Sequence, residues 1–365
     1  VDRNSSYGGG GILISWSENC SVTDCNITKC VSNSRGGGIL SENSSATFTN
    51  NSISGCYYTW DMDNPKGMGI NVENGGPYII CNNKIFNNLA EYTFAAPAGG
   101  VRIMNCSYQL IGNAIYNNQG SKAGGVLAYS WIQGNKIWNN TITNNYAGYT
   151  GGLWVEGYAD IRNNIVWGNH TSYGQIQVSS DGTNQTWAYN DIQDGLNAFY
   201  IPNSPNWQAS TQYVNNIDAS PQFISPTTFL GTGTIPVTTN WAIPAASPCR
   251  NAGDPEINMG IFTTDLAGNN RLDEERIDIG AYEYQNPLQP PRPLAISQTG
   301  NEITLSWSPV TLATGYSVYY SVNPSSGFAL LDDNPTHFTV VNGHVQWTGS
   351  AVSSLRFYKV RSVQN

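Results

Sequence analysis

Apolar and polar residues in the first 195 positions come in short bursts of period two, and the bursts recur. One burst opens on glycine: Gly11-Ile-Leu-Ile-Ser15, Gly38-Ile-Leu-Ser-Glu42, Gly69-Ile-Asn-Val-Glu73, Gly100-Val-Arg-Ile-Met104, Gly125-Val-Leu-Ala-Tyr129 and Gly152-Leu-Trp-Val-Glu156. A second sets an apolar residue three before an Asn-type position and another two after it. It reads Val22/Cys25/Ile27, Phe48/Asn51/Ile53, Ile80/Asn83/Ile85, Leu110/Asn113/Ile115, Ile132/Asn135/Ile137, Ile161/Asn164/Val166 and Trp187/Asn190/Ile192. Alternation of this kind predicts strands. Two motifs returning in one order predict a repeat array, in which each unit buries its apolar residues only against its neighbours. The steps of 22 to 32 residues fit strands of constant length joined by variable loops, giving about seven coils.

Strand alternation sorts the side chains into rows. Ile12, Ile39, Ile70, Val101, Val126 and Leu153 point inward. Leu13, Leu40, Asn71, Arg102, Leu127 and Trp154 form one outward row, and Ser15, Glu42, Glu73, Met104, Tyr129 and Glu156 a second. Beside the second motif, Phe86, Tyr116, Trp138 and Trp167 predict an outward aromatic stripe on four consecutive coils. The recurring Asn predicts a ladder of stacked amides that bond the backbone and one another. A further ladder is expected at Asn88, Asn118, Asn140 and Asn169, with Cys30 and Cys56 in that slot of the first two coils, as packed thiols or a disulfide. Parallel side chains favour thiols.

Composition narrows the classes. The 365 residues are 39% hydrophobic and only 11% charged, with a net charge of −9, so uncharged polar groups make the surface. An acidic chain without a basic stripe is unsuited to nucleic acid or anionic lipid. No apolar run reaches the roughly 20 residues of a spanning helix. No signal peptide opens the chain, and Val1 leading into a Gly-rich coil reads as a mature or truncated end. Seven cysteines without a Cys-x-x-Cys pair, and His170 as the one histidine of the repeat region, leave no zinc pattern.

The repeat resembles the right-handed parallel β-helix superfamily that includes pectate-lyase-like proteins, many of them extracellular and acting on or binding polysaccharides. Past residue 195, Asn216-Ile-Asp-Ala-Ser-Pro-Gln-Phe223, Ala246-Ser-Pro-Cys-Arg-Asn-Ala-Gly-Asp-Pro255, Asp265-Leu-Ala-Gly-Asn-Asn-Arg271 and Arg276-Ile-Asp-Ile-Gly-Ala-Tyr-Glu-Tyr284 resemble the C-terminal segment of bacterial surface "choice-of-anchor" β-helix proteins. The chain departs from that family at Cys249-Arg250-Asn251, where an apolar pair and an acidic residue are more usual. The resemblance implies an extracellular or cell-surface location, not a reaction. Residues 196–285 are expected to cap the open end of the solenoid, with Asp265, Arg271 and Asp278 closing it through ion pairs; Asp254, Asp265 and Asp278 could alternatively hold calcium. Residues 286–293 form a stiff Pro-rich linker. Residues 294–365, with Ile303-Thr-Leu-Ser-Trp307, Gly315-Tyr-Ser-Val-Tyr-Tyr320 and Leu355-Arg-Phe-Tyr-Lys-Val-Arg-Ser-Val363, resemble a fibronectin type III module carrying its buried Trp at 307 and its late-strand Tyr at 358. The expected fold is all-β: a β-helix followed by a β-sandwich.

Chemistry would sit on the outward rows. Glu42 and Glu73 on adjacent coils match the carboxylate spacing of retaining glycosidases, stacking would raise one of their pKa values, and Arg102 is the nearest candidate for a lyase base. Tyr129, Trp154 and Glu156 extend that face, and the aromatic stripe suits stacked sugar rings. The insertion with Trp60, Asp61 and Asp63 could form a lip over it. Three functions remain open: glycan binding or adhesion without catalysis, polysaccharide cleavage by a lyase or hydrolase through Glu42, Glu73 and Arg102, and self-assembly into a fibre through the N-terminal coil.

Overall fold

The computed structural model describes residues 5–8, 10–58, 66–90, 98–172, 178–180, 184–200, 212–236, 238–257, 260, 262–273, 276–285, 288, 290–310, 313–350 and 356–363. The chain divides into two compact units, Val1–Tyr284 and Gln285–Asn365.

The first unit is a parallel β-solenoid. Its described strands stack into a 14-stranded long sheet, a 7-stranded short sheet and two 3-stranded sheets. The seven strands of the short sheet delimit six complete turns, one fewer than the coils counted from sequence. Glycine-motif strands stack as expected: Ile39 pairs with Ile70, Ile70 with Val101, Val101 with Val126 and Val126 with Leu153. All five are fully buried in one core that runs from Ile14 to Ala198. The leading glycines let the coils approach. A Cβ at Gly69, Gly100 or Gly125 would lie 2.4, 2.5 or 2.6 Å from a carbonyl oxygen of the next coil.

The first Asn ladder runs Asn51–Asn83–Asn113–Asn140–Asn164–Asn190–Asn216, at steps of 24 to 32 residues. Each side-chain oxygen accepts both the amide and the backbone N–H of the Asn one coil earlier; Asn113 Oδ1, for example, accepts from Asn83 at 2.9 Å twice. The ladder thus passes residue 195, where the repeat motif ends in the sequence. It also corrects the fifth coil: Asn140, not Asn135, is the rung, because Trp131–Asn135 inserts a turn with Gly134 at φ 88°. The motif there is Ile137/Asn140/Ile142, five residues later than expected. The second ladder is accordingly Asn88–Asn118–Asn145–Asn169, and Cys56 N–H donates to Asn88 at its head. Cys30 and Cys56 are free, buried thiols.

Residues 212–219 still stack on the last coil, where Ile217 pairs in parallel with Asp191, whereas the described parts of residues 227–284 lie along the solenoid's flank. Turn asparagines with φ of 51–56°, a region Asn tolerates better than most residues, form the attachment points: Asn82, Asn117, Asn139, Asn144 and Asn163. Asn82 donates to the Asp265 carbonyl, Asn117 to Phe229, Asn139 to Asp278 and Asn144 to Thr227, while Asn163 Oδ1 accepts the Asp254 N–H. These contacts are mid-solenoid. A segment without a regular ladder of its own satisfies its backbone on the amides that the coils present.

In the second unit, one antiparallel sheet has four strands and the other three. Leu305, Trp307, Val345 and Trp347 from the first share a core with Val318 and Val360 from the second.

Candidate functional site

The outward rows of the long sheet keep the expected register. Leu13, Leu40, Asn71, Arg102, Leu127 and Trp154 stand side by side on successive coils, as do Ser15, Glu42, Glu73, Met104, Tyr129 and Glu156. Outward does not mean exposed here: Glu73 and Arg102 are buried, only 7% and 8% exposed.

Glu73 is the centre of a cage of cations. Arg35 Nη1 donates to Glu73 Oε1 at 3.1 Å and to Glu42 Oε2 at 3.0 Å. Lys66 Nζ reaches both Glu73 oxygens at 2.9 and 3.1 Å, and Arg102 Nη1 reaches Glu73 Oε2 and Asn71 Oδ1 at 2.9 Å. Burial pushes the Glu73 carboxyl upward, but Lys66 and Arg102 outweigh it and hold the pKa below the ordinary carboxylate range. Stacking on Glu42 therefore does not raise the Glu73 pKa, and Arg35 bridges the like-charge pair. A carboxylate kept ionised is a poor general acid. Arg102 is no better as a base, since its Nη1 is committed to Glu73 and Asn71. Burial lowers its pKa while Glu73 opposes that shift. Arg35 and Lys66 were invisible in the repeat because both stand outside the rows; the insertion containing Trp60, Asp61 and Asp63 lies outside the described residues.

Two coils on, the same face turns aromatic. Trp131 packs edge-on between Tyr129 and Tyr158, with ring centroids 6.5 and 6.3 Å away, and is 51% exposed. Tyr129, Met104 and Trp154 pack together over Leu127. Trp154 is not an open platform: Lys122 Nζ sits 4.0 Å from its ring centroid, and its Nε1 donates to Glu156 Oε1 at 2.6 Å. Lys122 closes the group with an ion pair to Glu156 at 3.6 Å. Sequence reading missed Trp131 and Tyr158, which lie at and just beyond the strand ends, although the inserted turn at 131–135 was the signal for them.

The aromatic stripe does not form as expected. On the short sheet the row is Phe86, Tyr116, Thr143 and Trp167. Trp138 belongs to the long sheet, between Ile111 and Arg162, which is the consequence of the five-residue shift. Phe86 and Tyr116 do stack, at 4.9 Å and 3°. The extension then covers the row: Trp241 packs on Tyr116 at 5.5 Å, and Ile243, Cys249 and Ile279 pack with Trp167. The stripe is the inner surface of a second core.

The three aspartates weighed for calcium serve the extension itself. Asp254 pairs with Arg162; Asp265 accepts the N–H groups of Ala267, Asn269 and Glu283; Asp278 accepts those of Asn251 and Tyr284. Arg271 donates to the carbonyls of Gly280 and Ala281. Among the described residues, no group of three or more His, Cys, Asp or Glu is placed to hold a metal ion, and no helix is long and apolar enough to cross a membrane.

Residues 2–169, a little under half of the chain, match the family model described as "Right handed beta helix region". No curated protein matches the chain. The family match and the stacked parallel coils together support a right-handed β-helix in the first unit.

Proposed function

We propose that the chain binds glycans, or adheres to glycan-bearing surfaces, through the outer face of the long sheet around Trp131. The observation that carries this reading is the Tyr129–Trp131–Tyr158 group, in which a half-exposed indole is fixed edge-on by two tyrosines. An aromatic ring held rigid and half wet offers apolar area at little ordering cost. The Lys122–Glu156 pair beside it, and Glu42 with its partner Arg35 three strands along the same sheet, carry groups that match sugar hydroxyls. A location outside the cell or on its surface fits this reading, with the second unit, fibronectin type III-like in its strand motifs, as spacer.

Binding fits this face better than cleavage. The carboxylate that a hydrolase would need protonated is held ionised by three cations. The test is a glycan array and a mixed polysaccharide panel, reading bound label and released reducing or unsaturated ends from the same samples. Label without products, lost about tenfold or more in Trp131→Ala, is the expected result. Product release that disappears in Glu73→Gln would replace binding by catalysis. Silence on both readouts would remove the glycan reading.

A further inference from the structure

A cleft of about 550 Å³ opens between the Lys136–Trp138 and Ala159–Arg162 strands and the extension. Its size falls within the roughly 300–1,000 Å³ of small-molecule sites. Its inner wall is a fixed chain of hydrogen bonds. Trp138 Nε1 donates to Asp160 Oδ2 at 3.2 Å, Arg162 Nε donates to Asp160 Oδ1 at 2.7 Å, and Arg162 Nη1 donates to Asp254. Asp254 is buried, only 4% exposed, and also accepts the Glu256 N–H at 3.0 Å, which locks the wall across the seam. Each of these charged groups has an ionic partner within the wall, Arg162 serving both carboxylates.

Two charges on the same cleft have none. Lys136 Nζ lies 4.1 Å from the Trp138 ring centroid, and among the described residues no carboxylate is within ion-pairing distance of it. The Glu256 side chain is exposed and likewise has no cationic partner among them. The two line one cleft without meeting each other. Ile257 and Trp138 supply its apolar surface.

We propose that this cleft binds a small amino-acid-like zwitterion, with the ligand carboxylate on Lys136, its ammonium on Glu256 and its apolar side chain against Ile257. Charge selects this class. A ligand carrying only negative groups meets Asp160, Asp254 and Glu256; one carrying only positive groups meets Lys136 and Arg162. A ligand with one of each uses both uncompensated charges and leaves the wall intact. The site is separate from the Trp131 face and stands or falls independently of it.

The test is isothermal titration of the whole chain at low salt with leucine and glycyl-leucine, each also as its N-acetyl and its C-terminal amide form. Saturable binding of at least one free zwitterion is expected, weakened about tenfold or more by blocking either end. Lys136→Met should abolish the discrimination against the amide, and Glu256→Gln the discrimination against the acetylated form. Both residues are accessible to solvent, so the variants should fold as the parent does. Equal binding of blocked and free forms would overturn the proposal. So would binding indifferent to both substitutions, or no saturable binding in the millimolar range.

Discussion

The outer faces of the long and short sheets are built from the same coils, yet one stays accessible around Trp131 and the other becomes a core. On the short sheet, Phe86, Tyr116 and Trp167 are covered by Trp241, Phe223, Ile243 and Ile279. On the long sheet, charged side chains from outside its strands, Arg35, Lys66 and Lys122, fold over the rows and leave Trp131 half exposed. The difference is one of partners. Apolar rows on a repeat surface are a docking surface for whatever chain can satisfy its own backbone there, and the extension does so on the turn asparagines. Rows carrying Glu42, Glu73 and Arg102 recruit countercharges instead.

The largest effect should come from opening the covered face. Trp241→Ala removes the indole from Tyr116 and Phe223 and should cost about 4 kcal/mol in chemical denaturation. It should also expose the Phe86–Tyr116 stack to quenchers. A cost near zero would mean the extension is only loosely laid on the solenoid.

Next is the cage. Glu73→Gln leaves Arg102 buried opposite a neutral amide and should destabilise by about 3 kcal/mol. In the parent, the Glu73 contribution is full above the ordinary carboxylate pKa and is lost as pH falls through its depressed folded value. Thermal melts of parent and variant should therefore converge at low pH and diverge at neutral pH. Parallel curves would show that the cage adds nothing.

A smaller, opposite pH dependence should mark the covered seam. Burial lifts the Asp191 carboxyl to about 7, against the lowering by the Cys249 thiol, which donates to it at 3.0 Å, and by the Ala219 N–H. The unfolded chain ionises this group near pH 4, so stability should fall as pH rises from about 4 to about 7 and stay lowered above that. Asp191→Asn should flatten that slope and be the more stable form at pH 8; a slope unchanged by the substitution would place the titration elsewhere. Smallest of all, Trp131→Ala on the open face should move stability by no more than about 0.5 kcal/mol, even as it removes the proposed glycan contact. A larger loss would make Trp131 structural and weaken the binding reading.

Much of the solenoid is legible in the chain because its physics is local and repeated. A glycine where coils nearly touch, an alternating strand, and an Asn whose amide must face the next Asn recur at every coil, and both the inward rows and the register of Glu42, Glu73 and Arg102 follow from them. Legibility failed at the fifth coil. There Ile132/Asn135/Ile137 mimics the motif five residues early, and only the continuous bonding of Asn113 to Asn140 to Asn164 identifies the true rung. That one shift moved Trp138 to another sheet and hid the Trp131 group.

The sequence by itself determined the coil, its inward rows and, outside the fifth coil, its amide ladders, since each depends on short motifs that recur along the chain. Only the tertiary structure decided which outward rows remain outside. That outcome depends on where the segments between the long-sheet strands carry Arg35, Lys66 and Lys122, and on a segment more than a hundred residues away choosing the short sheet as its floor. Neither leaves a period in the sequence. Electrostatics and burial, acting between residues that are neighbours only in space, settled both.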